Sequence, residues 1–336
     1  MNGPSHDAAV LIGRFQPFHL GHASLLRRAL EVGERVVLVL GSAHSSRTPR
    51  NPFSAAEREA MIRSTLTESD NRRLLVLGQR DVWCADRWAR EVRAAVEGAV
   101  SGRIALVGYR KDATSVYLGS FPGWDWVDTG RQGPLDATPL RERLLGAEPL
   151  PEILEGLRDA VDVPVLEFLA AWGNGPLRQE LSEELAATRR DAANWGDGPF
   201  VTVDVLVRAA DSVLLIRRAK RPGRGLLAMP GGFLMDGEPR EQGALRVLRE
   251  ETGLSLDDLR PAREMLFSHP GRSQRARIAT HAFLFEAFRD GLPDPIPGPG
   301  VASVSWWKDG ELASREEQFF EDHFHILSSF LPGLPG

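Results

Sequence analysis

The chain has 336 residues, of which 42% are hydrophobic and 26% charged, and its net charge at pH 7 is −5. This length predicts two domains, and the slightly negative charge argues against binding of nucleic acid through a basic surface. The single cysteine, Cys84, excludes an internal disulfide and favours a reducing compartment. The first residues are too polar for a signal peptide, and no apolar run has the length of a membrane span. A cytoplasmic protein is therefore expected.

Short apolar strands and amphipathic helices alternate through the first half of the chain. The predicted strands lie at residues 8–12, 35–41, 74–78, 104–108 and 126–128. The predicted helices lie at residues 23–30, 54–67, 85–100 and 138–145, and the second of these begins with the capping box Ser54-Ala55-Ala56-Glu57. Such alternation predicts a parallel sheet covered by helices on both faces. Its ligands are expected at the carboxyl ends of the strands.

The sequence then becomes helical before a second strand-rich region begins. Short helices are predicted at residues 151–160 and 165–172, and a charged helix is predicted at residues 177–193. Gly196-Asp197-Gly198-Pro199 ends the charged helix. We expect a first domain at residues 1–180, a helical linker at 181–198 and a second domain at 199–336. The second domain opens with strands at 201–208 and 212–217, which are joined as a hairpin.

A ten-residue motif lies between the first predicted strand and the first helix: Gly13-Arg14-Phe15-Gln16-Pro17-Phe18-His19-Leu20-Gly21-His22. Free backbone N–H groups and the helix dipole favour a phosphate at such a junction, and His19 and His22 add side-chain donors. Gly13 and Gly21 let the backbone approach a bulky anion. The string resembles that of the H-x-G-H nucleotidyltransferases, and among them the archaeal-type nicotinamide mononucleotide (NMN) adenylyltransferases.

This resemblance implies two groups of binding residues. Those that would bind ATP near the motif are Gly13, Arg14, Phe15, His19 and His22. Those that would bind NMN are Arg50, at the position of a phosphate-binding arginine, and the pair Asp81 and Trp88. In the family the tryptophan stacks on the nicotinamide ring, and the acid fixes its amide.

The end of the first domain also resembles the family. Thr138-Pro139-Leu140-Arg141 matches its closing motif, in which the arginine and a helix N-terminus hold the ATP phosphates. The preceding Asp136-Ala137 departs from the small or hydroxyl residues that are common there. Gly108 and Lys111, after the fourth predicted strand, suit a nucleotide phosphate, although the same segment is equally compatible with a simple turn.

The implied reaction joins NMN and ATP to give NAD and pyrophosphate. The NMN phosphate would attack the α-phosphorus of ATP in line, while His19, His22 and Arg141 with Mg²⁺ stabilise the phosphate charge. No general base is needed, because the attacking phosphate is already anionic. The alternative is transfer of an adenylyl or cytidylyl group to the phosphate of another compound. Asp81 and Trp88 favour a nicotinamide compound as the acceptor.

A second motif lies in the second domain and resembles the Nudix box, G-x5-E-x7-R-E-U-x-E-E-x-G-U, in which U is aliphatic. The matching residues are Gly232, Glu238, Arg246, Leu248, Glu250, Glu251, Gly253 and Leu254. The resemblance implies a loop, a helix and a loop, with Mg²⁺ or Mn²⁺ held by Glu238, Glu250, Glu251 and Gly232. The implied reaction is hydrolysis of ADP-ribose to AMP and ribose 5-phosphate, with Glu250 and Glu251 as catalytic residues.

Val247 stands where the Nudix family has a glutamate that is a metal ligand or general base in many members. Helical spacing puts this position on the same face as Glu250 and Glu251. Because valine neither binds a hard cation nor takes a proton, two alternatives stay open. Either the base comes from a later segment, with Glu316 and Glu317 as candidates, or the domain senses ADP-ribose or a related nucleotide.

Together these motifs identify the chain as a member of the bifunctional NMN adenylyltransferase/Nudix proteins. The implied fold is α/β, with a Rossmann-like parallel-sheet domain followed by an α/β/α Nudix domain with a mixed sheet. The expected partners are NMN, ATP, NAD and ADP-ribose with Mg²⁺ or Mn²⁺, without nucleic acid or membrane, and a homo-oligomer is compatible with the sequence. A DNA-binding regulator is least favoured, because the chain has no basic recognition helix. His323 and His325 are interpreted as structural, and Pro270 has a placement associated in the family with ADP-ribose.

Overall fold

The computed structural model describes residues 4–109, 119–130, 135–196, 198–256, 258–287 and 291–335. The chain splits into two compact units, Met1–Ser182 and Glu183–Gly336. Within the described ranges, no helix combines the length and the apolar character that crossing a membrane requires.

A parallel sheet forms the centre of the first unit. Its strands are β1 (His6–Gly13), β2 (Gly33–Leu40), β3 (Leu74–Gly78), β4 (Ile104–Gly108) and β5 (Asp125–Asp128). They lie in the order β3-β2-β1-β4-β5, and every neighbouring pair is parallel. The strand order reverses at β1, which makes the carboxyl end of this strand the expected place for a ligand. The predicted Rossmann-like parallel sheet is confirmed.

Helices cover both faces of this sheet. They are α1 (Leu20–Val32), α2 (Ala55–Arg63), α3 (Glu68–Arg73), α4 (Ala85–Ala99), α5 (Ala137–Leu144), α6 (Leu150–Glu155) and α7 (Val163–Gly173), followed by α8 (Pro176–Trp195). One face of the sheet packs against α1, α2, α6 and α7. The other face packs against α4 through Ala89, Val92 and Val96.

The single helix predicted at residues 54–67 is wrong in its extent. The Ser54 capping box is present, but α2 ends at Arg63 and a separate α3 follows. The hydroxyls of Ser64 and Thr65 donate to the carbonyl oxygens of Met61 and Ile62, at 2.8 and 2.7 Å. Such side-chain bonds compete with continuation of the helix.

The second unit is built on a mixed sheet. Its strands are β6 (Phe200–Ala209), β7 (Ser212–Arg218), β8 (Leu227–Ala228), β9 (Gly231–Phe233), β10 (Arg263–Phe267), β11 (Ile278–Glu286) and β12 (Val301–Lys308). The main order is β10-β11-β6-β7-β12, with β8 paired to β7 and β9 paired to β6. The predicted hairpin is confirmed where Arg208 pairs with Val213 and Ala209 with Ser212.

Alternating residues of β6 point to the two faces of this sheet. Val203, Val205 and Val207 belong to the hydrophobic cluster that packs against α9 (Arg240–Thr252). Leu206 belongs to the cluster on the opposite face, beneath α11 (His323–Phe330). The expected α/β/α arrangement of the second domain is therefore present, with α10 (Asp309–Leu312) as a short additional turn.

Candidate active sites

The two histidines of the first motif lie side by side at the N-terminus of α1. His19 is the N-cap residue and is 5% exposed. Its ring stacks on that of His22, with centroids 3.7 Å apart and an interplanar angle of 25°. Both imidazoles therefore lie where the helix dipole favours an anion.

Phe15 supports this pair of rings. The Phe15 ring meets His22 edge-on with centroids 4.8 Å apart, and its side chain is buried. A Cβ atom at Gly13 would lie 2.9 Å from Cζ of Phe15. Gly13 thus leaves space for the phenyl ring. Because this ring is buried, the predicted contact of Phe15 with ATP would be made by its backbone, which has a φ of 51°.

Three arginines gather at the carboxyl edge of the sheet. Arg141 is buried on α5, where Nη1 donates to the Gln16 carbonyl oxygen at 2.8 Å and Nη2 to Thr138 Oγ1 at 2.9 Å. Burial and the positive charges of Arg14 and Arg50 lower the pKa of Arg141 to about 10. Burial and Arg50 also lower the pKa of Arg14. Partly desolvated cations that repel one another form a strong site for phosphate.

Asp136 explains the departure noted before the closing motif. Its carboxylate accepts a hydrogen bond from the Thr138 backbone N–H at 3.2 Å and caps α5. The negative charge of Asp136 acts to raise the pKa values of Arg14 and Arg141, but burial and the neighbouring arginines outweigh it and both pKa values stay lowered. An acidic N-cap therefore stands where small or hydroxyl residues were expected, and Thr138 still bonds to Arg141.

The predicted nicotinamide pair lies after β3. The Asp81 carboxylate accepts from Ser42 Oγ at 2.9 Å and from Ser45 Oγ at 3.3 Å, so the loop after β2 orients it. Trp88 lies in the first turn of α4, half-buried, with its ring edge-on to Phe121 at a centroid distance of 6.2 Å. Part of the Trp88 indole packs in the core, and part stays accessible.

Arg58 holds the loops of this site together, a role that was not predicted from the sequence. It is 0% exposed. Its Nη1 donates to the carbonyl oxygens of Arg14 at 2.8 Å and Gly41 at 2.7 Å, and its Nη2 donates to that of Ser42 at 3.2 Å. The signal in the sequence is an arginine on the buried stripe of α2, three and four residues before Met61 and Ile62.

Gln16, within the first motif, has a second role that was not predicted from the sequence. Its amide is buried and pairs with the backbone of Phe53: Nε2 donates to the carbonyl oxygen at 2.8 Å, and Oε1 accepts from N–H at 3.0 Å. Because the Gln16 carbonyl also accepts from Arg141, this residue connects the histidine motif with the loop before α2 and with α5.

Gly108 ends β4 where a nucleotide phosphate was predicted. A Cβ atom there would lie 3.2 Å from Cη2 of Trp126, so the glycine accommodates this indole. Lys111, the other residue predicted there, lies outside the described residues.

In the second unit, Arg246 organises the Nudix motif. Its Nε and Nη2 donate to the two carboxylate oxygens of Glu238, at 2.7 and 2.8 Å, and its Nη1 donates to Glu250 at 3.0 Å. Glu238 also accepts from the Met235 backbone N–H at 3.0 Å. These bonds, chiefly those from Arg246, lower the pKa of Glu238 to about 2. Both oxygens of Glu238 thus accept hydrogen bonds within the protein, and its role as a metal ligand stays a prediction.

Glu251 has the environment that suits a cation. It accepts a hydrogen bond from the Gly231 backbone N–H at 3.0 Å. Burial raises the pKa of Glu251 to about 7, and the charges of Asp204 and Glu250 act in the same direction. A hard divalent cation would supply the positive charge that this carboxylate needs. Within the described part of the chain, no three His, Cys, Asp or Glu side chains converge as a metal cluster, so the predicted set is not assembled.

Val247 and Glu250 do not share a face, which corrects the expectation from helical spacing. Val247 is 3% exposed and packs with Ala244 and Leu248 against the sheet. A Cβ atom at Gly232 would lie 3.1 Å from its Cγ1. The Glu250 side chain is instead mostly in solvent beside Arg246. Val247 and Glu251 both lie against β9, next to Gly232 and Gly231. Glu250 precedes Glu251 and is turned about 100° away from it around the helix axis, toward solvent.

A Pro/Gly-rich loop closes the end of α9. Gly253 ends the helix in the left-handed conformation, with φ of +69°. The backbone N–H groups of Ile296 and Gly298 then donate to the carbonyl oxygens of Thr252 at 2.8 Å and Glu251 at 3.1 Å. A Cβ atom at Gly298 would overlap the Glu250 carbonyl oxygen, so only glycine allows this approach.

The remaining predicted residues lie near the C-terminus. Glu316 and Glu317 are in a short 3-10 helix, Glu316–Gln318, where Glu317 is exposed. His323 Nδ1 accepts from the Met229 backbone N–H at 3.2 Å, and burial lowers the pKa of His323 to about 4. A neutral, buried histidine of this kind supports the structural interpretation. His325 contacts Phe267 edge-on.

Comparisons with known proteins find relatives of each of the two units. The cytidylyltransferase-like family model matches residues 10–83, and the NUDIX domain model matches residues 198–330. The nicotinamide/nicotinic acid mononucleotide adenylyltransferase of Acinetobacter baylyi is 31% identical over 191 residues, which are 56% of this chain and 97% of that protein. The chain belongs to the NMN adenylyltransferase family. The nicotinamide-nucleotide adenylyltransferase of Thermoplasma volcanium is 38% identical over 94 residues, which span 28% of this chain and 53% of that protein.

The whole chain also has a structural counterpart. A bifunctional NMN adenylyltransferase/ADP ribose pyrophosphatase from Francisella tularensis, solved as a complex with AMP and a manganese ion, superposes with a TM-score of 0.88. It is 28% identical, and the match covers 97% of this chain and 99% of that one. The chain therefore has the architecture of the bifunctional adenylyltransferase/Nudix proteins, which the sequence motifs predicted.

Proposed function

We propose that the first unit transfers AMP from ATP to NMN and releases pyrophosphate, with NAD as the product. The observation that carries this proposal is the cluster of Arg14, Arg50 and Arg141 beside the stacked histidines. Desolvation and mutual repulsion lower the pKa of Arg141 to about 10, which favours binding of a polyanion such as ATP.

Different residues bind the two substrates. Arg50 binds the NMN phosphate, while Asp81 and Trp88 hold its nicotinamide. His19, His22 and Arg141 bind the ATP phosphates and stabilise the charge that moves to the leaving pyrophosphate. The NMN phosphate oxygen forms the new bond to the α-phosphorus as the bond to the pyrophosphate oxygen breaks. A bound Mg²⁺ would neutralise part of the phosphate charge.

The test is a substrate panel on the full chain. We expect NAD from NMN plus ATP with Mg²⁺, and much slower reaction when CTP replaces ATP or ribose 5-phosphate replaces NMN. Faster turnover with another acceptor phosphate would overturn the assignment of NMN, and the same assay without metal measures the requirement for a cation.

We further propose that the second unit hydrolyses ADP-ribose to AMP and ribose 5-phosphate with Mg²⁺ or Mn²⁺. Support comes from the buried Glu251 carboxylate, whose pKa is raised to about 7, and from the Nudix helix that carries it. The Francisella protein, named as an ADP ribose pyrophosphatase, has the same architecture.

A sensor of ADP-ribose is the second candidate, and two observations favour it. Val247 packs in the core, and both oxygens of Glu238 are engaged by Arg246 and Met235. Metal-dependent release of AMP from ADP-ribose, followed with the pure full chain, separates the two. Turnover that Glu251→Gln abolishes supports the hydrolase, whereas binding without turnover supports the sensor.

A further inference from the structure

Three aromatic rings meet at the edge of the second unit, beside the Nudix motif. Trp195, the last residue of α8, contacts the Phe233 ring with centroids 5.0 Å apart. Phe200 contacts Phe233 from another side at 5.8 Å. Phe233 is nevertheless 39% exposed. An accessible aromatic ring that other rings hold in place offers a flat surface on which a planar ligand can stack.

Arg275 borders this aromatic cluster, and Arg218 lies next to Arg275 over the ring of Phe320. The Arg275 guanidinium lies over the Trp195 ring at 5.1 Å, and its ion pair with Glu321 at 3.0 Å fixes its position. Arg218 lies over the ring of Phe320 at 4.1 Å, and Arg275 lies over the same ring at 5.1 Å. Burial and the charge of Arg275 lower the pKa of Arg218, against the opposing effect of neighbouring glutamates. Arg218 is therefore a partly desolvated cation that an anion would stabilise.

The same region reaches the Nudix carboxylate. Phe233 and Gly231 belong to the short strand β9, and Gly231 N–H donates to Glu251. Two residues along an extended strand span about 7 Å, which is comparable to the separation of a nucleoside base from its first phosphates. The positive charge of Arg218 acts to lower the pKa of Glu251, against the larger effect of burial. The aromatic ring of Phe233 and the N–H group that binds the Glu251 carboxylate thus lie at the two ends of β9, and Arg218, at the end of β7, is close enough to Glu251 for its charge to act there.

We propose that Phe233 and Trp195 form a subsite for the planar base of a nucleoside diphosphate compound, with Arg218 toward its phosphates. This inference rests on the proposed function of the second unit and assigns the base-recognising end of its substrate. Trp195 lies in the segment that the sequence marked only as a helical linker. Stacking of a base on an aromatic ring strengthens binding about tenfold or more, enough to select base-containing ligands over pyrophosphate alone.

The test uses the full chain with 5-fluorotryptophan and follows ¹⁹F NMR, with Ca²⁺ in place of Mg²⁺ to slow turnover. The Trp195 resonance is the one missing from the Trp195→Phe variant. We expect ADP-ribose to shift it, and imidodiphosphate, which has no base, to leave it in place. Phe233→Ala should weaken the titration about tenfold or more. Met235→Ala, a matched change of an exposed apolar residue without a ring, should not.

The outcomes separate this inference from the proposed function. If ADP-ribose is hydrolysed but the Trp195 resonance does not move, the base subsite is overturned and the hydrolase stands. If the resonance moves and no hydrolysis follows with Mg²⁺, the subsite stands and the hydrolase is overturned. If neither is seen, both are overturned, and an equal shift with imidodiphosphate also overturns recognition of the base. NAD synthesis by each variant verifies that the chain is folded.

Discussion

The Arg58 guanidinium donates to the Arg14 carbonyl oxygen at 2.8 Å, and so ties the core of α2 to the loop that carries the ATP-binding motif. The same side chain donates to Gly41 and Ser42, on the loop that orients Asp81. One buried cation thus positions parts of both predicted substrate sites.

Removing this cation should destabilise the first unit. Arg58→Met leaves several buried carbonyl oxygens without donors, and we expect the free energy of unfolding to fall by about 2–4 kcal/mol. Arg58→Lys keeps the charge and should lose less. Thermal unfolding of both variants measures the difference, and an Arg58→Met chain as stable as wild type would show that water satisfies these carbonyls.

The stacked pair His19 and His22 should matter for rate and not for stability. We expect His19→Ala or His22→Ala to lower NAD synthesis by roughly a hundredfold or more, because each removes a donor that stabilises phosphate charge in the transition state. Initial rates at saturating NMN and ATP, with thermal unfolding alongside, make the measurement. Near-normal turnover in both variants would remove the histidines from the mechanism.

Trp88 should affect one substrate selectively. Trp88→Ala should raise the KM for NMN much more than the KM for ATP, because stacking on a ring contributes on the order of 1–3 kcal/mol. Trp88→Phe keeps an aromatic surface and the edge contact with Phe121, and should lose less. Equal effects on the two KM values would mean that Trp88 serves only the hydrophobic core in which part of its ring is packed.

Local sequence patterns predicted the strands of the first unit well. β3 and β4 have the predicted bounds, because continuous apolar runs between polar loops leave few alternatives. The break between α2 and α3 was missed because it depends on hydroxyl groups that bond to nearby carbonyls, which hydrophobic periodicity does not register.

Only those site residues that belong to a recognisable sequence motif could be predicted. The sequence indicated His19, His22 and Arg141, and the structure places the two histidines together and Arg141 among three arginines. The roles of Arg58 and Trp195 could not be predicted this way. Helical spacing places Arg58 on the buried stripe of α2, but what each residue does depends on carbonyl groups, rings and charges that distant segments bring to it.

Glu251 should make the second unit sensitive to pH when metal is removed. Burial raises its pKa from an ordinary value of 4.5 to about 7, so the folded state binds this proton more tightly than the unfolded state does. The stability that this proton contributes is present below about pH 4.5 and is lost as the pH rises through 7. Glu251→Gln should therefore stabilise the chelated protein by about 1–3 kcal/mol at pH 8 and have little effect at pH 4.5.

Thermal unfolding at the two pH values, with a chelator present, measures this effect. Glu250→Gln is the matched control, because the Glu250 side chain is 55% exposed and no similar change is expected. Equal melting temperatures for wild type and Glu251→Gln at pH 8 would show that the carboxylate is satisfied without a cation.

Val247→Glu tests whether the valine is what limits the Nudix unit. The side chain lies in the core beside Gly232, on the face of α9 that also carries Glu251. Without metal, the introduced carboxylate would be buried near Glu251, and we expect the free energy of unfolding to fall by about 2–4 kcal/mol.

A bound Mg²⁺ reverses this expectation in part, because it would neutralise both carboxylates. We expect Mg²⁺ to raise the melting temperature of Val247→Glu more than that of wild type, and ADP-ribose hydrolysis to increase about tenfold, within the range of general-base effects. Val247→Gln is the control: it is polar and of similar size but uncharged, so Mg²⁺ should not restore its stability. If Val247→Glu and Val247→Gln respond alike to Mg²⁺ and neither hydrolyses faster, position 247 belongs only to the core, and the sensor becomes the better assignment.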